Sequence, residues 1–597
     1  MIKTLLDLIG VLSQKQRRNF FLLQFLIIIT SIIEICGFAS VAPFIAIVLD
    51  PALIDKNQIL SAIYGLIEFE SKTNFLVFIG GCVLFALTIG NFISLITLWC
   101  LIRFAHFLGQ SFSNSLYKYY LHQPYFYHIE HNSSTLISKI VNDTHRVIVQ
   151  LITPSLHLNA KLVLIFFILI GLMIFDPLLT SACFAIFGGS YLLIFLITQP
   201  LLTKAGKTVT VNNKRRVKII TEGLGSIKEL KLLGSENFYS DQFSNTAENL
   251  AKANSFSQIV GQSPRYLLET VAFGSIVLIT LYLIINKLDV VSILPVLSLY
   301  ALAGYKLLPA LQNCFSLVVK IKSAQDAFAH ISSDLKNANS QNTKQDNINK
   351  DAFNLQSEIT LNRISYIYPG SKSYSLKDIN LTIPAKTSIG IVGPSGSGKT
   401  TIVDILLGLL APTEGHIEMD GTPLSKQNLR PYMNTLGYVP QFIYLADTSI
   451  ASNIAFGVDE KHIDSEKLEC AIKAANLSEV ISKLPNGIRS NIGEGGIQLS
   501  GGQRQKIGIA RAIYHDASII VLDEATSALD TVAEKSIIET LNKLSLEKTI
   551  ITIAHRLSTI KNCEVIYLIE SGQVADSGTF QELYARAESF KNLVDQS

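Results

Sequence analysis

The sequence predicts two joined parts: a membrane α-helical domain of six transmembrane helices with long cytoplasmic extensions, then a soluble α/β domain. Three observations lead there. Hydrophobic residues make up 49% of the 597 residues and charged residues only 16%, with a mean hydropathy of +0.36, which is high for a soluble protein. The apolar excess ends near Phe315, and the rest of the chain has ordinary soluble composition. The chain is also too long for one hydrophobic core. The same composition excludes some functions. A net charge of +3 gives no case for nucleic acid as a partner. Seven scattered cysteines (Cys36, Cys82, Cys100, Cys183, Cys314, Cys470 and Cys563) form no CxxC pair, so neither a zinc site nor a disulfide framework is indicated.

A spanning helix needs about 20 mostly apolar residues. Six stretches meet this: 20–49, 74–103, 154–175, 177–198, 265–285 and 291–315. No small-residue cleavage site follows a short apolar core, so the first run reads as a retained helix. Lys15, Arg17 and Arg18 precede it, and Lys204, Lys207, Lys214, Arg215, Arg216 and Lys218 follow the fourth, while the turns at 176 and 287 carry little positive charge. The positive-inside rule puts the N-terminus and everything after the sixth span in the cytoplasm. The long connections 105–153 and 199–264 carry helical periodicity, as in Ile219, Ile220, Leu224, Ile227 and Leu230, and read as stalks extending from the membrane. The segment 59–69 is either an amphipathic helix on the outer surface or an ordinary packed loop helix. Beyond His330 the composition turns to Asn, Gln, Lys, Asp and Ser, too polar to bury a core. The expected division is a transmembrane domain over 1–330, a linker over 331–355 and the α/β domain over 356–597.

Gly393-Pro394-Ser395-Gly396-Ser397-Gly398-Lys399-Thr400 is a complete P-loop. Backbone N–H groups of such a loop cradle phosphates, Lys399 reaches the β- and γ-phosphates, and the Thr400 hydroxyl ligates magnesium. A β-like run from Thr387 to Val392 precedes it and a helical run from Ile402 to Leu410 comes after it, as the motif needs. A second β-run, Ser518 to Leu522, ends in Asp523-Glu524. Asp523 is a magnesium partner in this position, and Glu524 is placed to polarise the attacking water. Leu499-Ser500-Gly501-Gly502-Gln503 then opens another helical run. Ser500 is a good N-cap, and the glycines leave N–H groups open to a phosphate.

A simple P-loop enzyme has no use for that second phosphate-binding helix start, and with it residues 356–597 resemble the nucleotide-binding domain of ABC transporters. The cofactors implied are ATP and Mg2+. The resemblance implies that Tyr368 stacks on adenine, that Gln441 in "YVPQ" senses magnesium, and that Thr401 joins the P-loop contacts. It also implies that Gly493 to Gly496 meet the intracellular loops, that Asp530 closes the D-loop, and that His555 is the switch histidine at the γ-phosphate. In this family Ser500, Gly501, Gly502 and Gln503 of one chain close on ATP held by another. One set of motifs per chain therefore implies two chains, a homodimer or a pair with another half-transporter. A membrane half fused ahead of the ATPase half resembles exporters, with Pro124 to His128 and Glu222 to Ile227 where coupling helices would lie.

Glu34, Lys161, Glu269 and Lys306 all fall roughly 22–27 Å below the outer face at 1.5 Å per residue. Charges inside spans face a cavity or one another, so these are either two structural ion pairs or the lining of a cavity for a charged substrate. "IIEICGFASVAPFIA", "SPRYLLETVAFG" and "LYALAGYKLLPALQN" resemble the bacterial flippases of lipid-linked oligosaccharides, with Lys306 as the basic residue of the sixth helix. That resemblance implies a lipid-linked substrate taken from membrane lipid in a bacterial inner membrane. The alternatives are an exporter of another lipid, a drug or a peptide, and a non-transporting ATP-gated regulator.

Overall fold

A computed structural model of the chain describes residues 2–49, 53–56, 60–61, 64–65, 71–175, 177–266, 269–270, 274, 277, 290–341, 355–523, 531–554 and 559–595. Contacts divide it into two units, Met1–Gln123 with Tyr127–Gln345, and Asp346–Ser597 with Pro124–Phe126.

The first unit is helical. Helix α1 (Ile2–Val11) buries Leu8 and Val11, and Arg17 Nε closes its C-terminus by donating to Ile9 O at 2.9 Å, a cation on orphan carbonyls. Helix α2 (Gln14–Ala39) starts at a reciprocal cap: Gln16 N donates to Ser13 Oγ, and Ser13 N to Gln16 Oε1. The first expected span is broken after α2, since Pro43 has no N–H to donate to Ala39, and a separate helix covers Val41–Leu49.

Helix α3 (Lys72–Leu121) has 50 residues, about 75 Å at 1.5 Å each, far longer than a bilayer core. Its outer part exposes Val77, Leu84, Phe85, Phe92 and Leu95. From Leu101 onward the pattern changes to a buried stripe of Leu101, Ala105, Leu108, Phe112, Leu116 and Tyr120. The lipid-facing part and the packed stalk are thus separate stretches of one helix.

Helix α4 (Thr153–Phe175) continues a helical path from Ser133 that contains two π turns, Lys139–Asp143 and Ile148–Ile152. Between them Arg146 is buried. Its guanidinium donates to Thr210 Oγ1 at 2.8 Å, to Gly206 O at 3.2 Å and to Ser323 O. It thereby ties α5 (Pro177–Gly225) to α7 (Val290–Gln341); α6 (Glu236–Gln262) packs against both. Helix α7 runs through part of the stretch expected as linker, because Ile331, Leu335 and Ala338 recur at helical spacing and are buried.

Among the described residues three helices are long and apolar enough to cross a membrane, Gln14–Gly37, Lys72–Leu121 and Ser133–Ile174. Helices α5 and α7 cover the fourth and sixth expected stretches. The fifth, 265–285, and the outer segment 59–69 fall largely outside the described residues.

The second unit holds two sheets. One is antiparallel, in the order β2-β1-β4-β5, from β1 (Glu358–Tyr366), β2 (Leu376–Pro384), β4 (Glu414–Met419) and β5 (Thr422–Pro423). The other has the order β10-β9-β3-β8-β7-β6, from β3 (Ser388–Val392), β6 (Leu436–Val439), β7 (Ile519–Asp523), β8 (Thr549–Ile553), β9 (Val565–Glu570) and β10 (Gln573–Gly578). β6 to β9 and β3 run parallel, and β10 is antiparallel to β9. Every residue of β8 is buried, as are Ile519 to Leu522 of β7. Both faces are covered, which is why these strands read as unbroken apolar runs. Helices α8 (Lys399–Leu406) and α9 (Gly501–Tyr514) each begin three residues before the helical runs that announced them.

Candidate functional site

The P-loop leaves the C-terminal end of β3, where Gly393 and Gly398 have φ of 155° and 102°. A Cβ on Gly398 would lie 2.6 Å from Leu376 Cδ2, so only glycine fits this turn. Lys399 opens α8, and its Nζ donates to Gly393 O at 2.8 Å and Pro394 O at 2.9 Å. The ammonium is folded back over the loop, so its charge is held at the loop rather than extended into solvent. Ser397 is buried and its Oγ has no hydrogen-bond partner among the described residues. An orphan buried hydroxyl, a glycine-lined turn and a helix start with its lysine fit a polyphosphate.

Ser395, Gly396 and Thr400 are exposed along the same loop, and Thr401 is buried behind it. Thr401 Oγ1 lies 3.1 Å from Tyr368 Oη, which brings the expected adenine platform onto the P-loop helix. Tyr366 supports Tyr368 edge to face, at 4.9 Å between ring centres.

Asp523 ends β7, two strands from β3. Burial raises its pKa, opposed by a hydrogen bond from Tyr438 and by the charge of Lys399. Tyr438 Oη donates to Asp523 Oδ2 at 3.1 Å. Asp404, on α8, is pushed up to about 6 by burial and then by the charge of Asp523. The site therefore gathers Tyr368, the P-loop, Lys399, Thr401, Asp404, Tyr438 and Asp523. Sequence reading passed over Tyr438 and Asp404, although Tyr438 stands only three residues before Gln441. Gln441 comes after β6 and is exposed. Glu524, Asp530 and His555 lie outside the described residues.

Ser500 caps α9, its Oγ accepting from Gln503 N while Gln503 Oε1 accepts from Ser500 N at 2.9 Å. This capping box has the spacing S-x-x-Q, and it gives Gln503 a structural task at the helix start that sequence reading did not assign. Helix α9 packs on β6 so closely that a Cβ on Gly437 would lie 2.5 Å from Ala512 Cβ. β6 is three strands from β3, about 14 Å at the usual strand spacing. The Ser500 segment and the P-loop thus belong to different parts of the sheet.

In the membrane unit Lys306 Nζ lies 2.9 Å from Glu34 Oε1, with 29% and 24% of the side chains exposed. Arg265 Nε meets Glu269 Oε1 at 2.8 Å, one turn apart. Of the four charges expected at one depth, Glu34 and Lys306 meet, while Glu269 pairs with Arg265. Asn159 Nδ2 donates to Gln24 Oε1 at 3.1 Å, and the buried Gln24 Nε2 has no partner among the described residues.

Residues 376–527 match the ABC transporter family model and residues 24–303 that of the ABC transporter transmembrane region. A protein named ATP-dependent lipid A-core flippase from Alkalilimnicola ehrlichii is 30% identical over 473 residues, 79% of each chain. A protein of the same name from Cupriavidus pinatubonensis is 42% identical over 229 residues, 38% of this chain and 39% of that one. The fold is also that of a bacterial Atm1-family ABC exporter solved with ATP bound, at TM-score 0.75 and 19% identity, covering 98% of both chains. The chain belongs to the ABC transporters, as an exporter-type half-transporter and an ATP-hydrolysing translocase whose membrane domain precedes its nucleotide-binding domain.

Proposed function

We propose that two copies of this chain flip a polyprenyl-pyrophosphate-linked oligosaccharide from the inner to the outer leaflet of a bacterial cytoplasmic membrane. The observation that carries this reading is the Glu34–Lys306 pair inside the membrane unit. A pyrophosphate in low-dielectric surroundings needs a cation, and Lys306 is one already matched by an anion that an incoming headgroup can displace. Lys161 stands at similar depth and Arg265 nearer the cytoplasmic side. The relatives named lipid A-core flippases favour a glycolipid of that kind as the second reading.

In the ATP reaction, the backbone N–H groups of Gly396, Gly398, Lys399 and Thr400, with Ser395 and Ser397, hold the phosphates, and Tyr368 holds the base. Thr400, Asp523 and Gln441 would hold magnesium, which would neutralise charge on the phosphates. Glu524 takes a proton from the attacking water, and His555 contacts the terminal phosphate. Ser500, Gly501, Gly502, Gln503 and Asp530 of the second chain exclude water from the other side.

The test is a proteoliposome assay that tracks outward exposure of a labelled lipid-linked sugar beside ATP turnover, with a lipid A-core lipid in a parallel arm. Lys306→Ala should lower flipping of the pyrophosphate-linked substrate at least about tenfold, the value of one desolvated charge contact, while basal turnover stays near wild type. Wild-type protein that hydrolyses ATP but moves only the lipid A-core lipid selects the second reading. Normal flipping by Lys306→Ala and Lys161→Ala sinks the headgroup site.

A further inference from the structure

We infer that Tyr438 is a positioning residue for the magnesium shell, acting through its hydrogen bond to Asp523. The two residues stand on neighbouring parallel strands, with Tyr438 of β6 paired to Val521 of β7. Side chains two residues apart share a sheet face, so Asp523 is the diagonal neighbour of Tyr438. A phenol is long enough to reach along that diagonal, and its O–H donates to Asp523 Oδ2 at 3.1 Å.

An ionised carboxylate only accepts hydrogen bonds. This bond therefore engages Oδ2 and restrains the carboxylate plane, and Oδ1 is the oxygen that a metal or its bound water would meet. A restraint is needed here because Asp404 lies close enough to feel the charge of Asp523, and two carboxylates left alone turn away from each other. A phenol orients Asp523 without adding positive charge, whereas a lysine in its place would neutralise the anion that the metal requires. The same bond reaches further along the chain. Tyr438 is three residues ahead of Gln441, so it ties the strand end leading to one proposed magnesium contact to the carboxylate of another.

This inference rests on the proposed magnesium shell, and the test separates the two. Full-length Tyr438→Phe and wild type are compared in two titrations. One measures a fluorescent ATP analogue in EDTA; the other measures Mn2+ by electron paramagnetic resonance with a saturating non-hydrolysable ATP analogue, then its competition by Mg2+. The phenylalanine keeps the ring, so metal-free nucleotide binding doubles as the check on folding. Half-saturation by metal should rise about tenfold, the worth of one hydrogen bond to a charged group, with binding in EDTA unchanged. Unchanged metal affinity in the variant overturns the inference alone. Equal weakening of both titrations overturns it too, because Tyr438 would then act through packing. A wild-type protein with no metal response removes the magnesium reading and this inference with it.

Discussion

At the residue scale, the acids beside the P-loop show how environment sets charge. Asp404 is held near 6 by burial and by Asp523, above an ordinary aspartate at about 3.9. The folded chain thus binds that proton more tightly than the unfolded chain does, so stability falls as pH rises from about 4 to about 6, and the penalty is complete above 6. Asp404→Asn removes the penalty. In nucleotide-free, metal-free protein the variant should gain about 1 kcal/mol over wild type at pH 7.5, a figure reduced for partial exposure, and nothing below pH 4. Thermal unfolding at pH 7.5 and pH 5 measures this; an equal gain at both would mean packing, not charge. Neither Asp404 nor Tyr438 was legible in the sequence, because each matters through a neighbour on another element. Lys399, Thr400 and Asp523 were legible because their motifs bind chemistry to a fixed local geometry. Gln503 lay between these cases, its S-x-x-Q spacing visible and its capping task overlooked.

At the element scale, the long helices share an apolar cluster that includes Leu101, Phe112, Leu156 and Phe328, and they also meet at close backbone approaches. Gly206 on α5 meets the backbone of α7, where an added Cβ would lie 2.6 Å from Ser323 O. Arg146 uses the same contact, donating to the carbonyls of both Gly206 and Ser323. Gly206→Ala should push α5 from α7 and strip Arg146 of acceptors. Its expected cost is about 1–3 kcal/mol by overpacking, read as a lowered Tm of the purified protein in detergent. Ala substituted at Gly171, where a Cβ meets nothing within 4 Å, is the control that should not lower Tm, since alanine is favoured over glycine inside a helix, and an equal fall at both sites would refute the argument. The helices over 74–103, 154–175, 177–198 and 291–315 were foreseen from hydropathy, and the apolar strands from their unbroken runs. The π turns around Arg146 were not, because a sequence shows periodicity but not the insertion of one residue into a hydrogen-bond ladder. The helical start of 331–355 was hidden by its polar composition, although Ile331, Leu335 and Ala338 kept the period.

At the scale of the whole molecule, one chain carries one P-loop and one Ser500 segment, set on β3 and beside β6 with two strands between them. Half-transporters of this family generally act as dimers, and an isologous two-fold pair is the arrangement that would bring each segment to the other chain's loop. The count of motifs alone already pointed to two chains, and the sheet order adds the physical reason: three strand spacings, about 14 Å, separate the two within a chain. Complementation decides whether the site is shared. Lys399→Ala removes the phosphate-binding ammonium, and Ser500→Arg puts a bulky cation in place of the α9 cap. Each variant alone should neither occlude nor hydrolyse ATP. Mixed in equal amounts, half of the dimers are heterodimers; in each, the P-loop of the Ser500→Arg chain faces the intact Ser500 of the Lys399→Ala chain. ATP occlusion should then return to about a quarter of wild-type sites, one site in every second dimer. Two affinity tags verify the heterodimer, and vanadate trapping of labelled nucleotide reads the sites. If verified heterodimers trap nothing, the sites are not built across two chains in this way. If trapping returns without flipping, both sites must fire for transport, and the shared geometry stands.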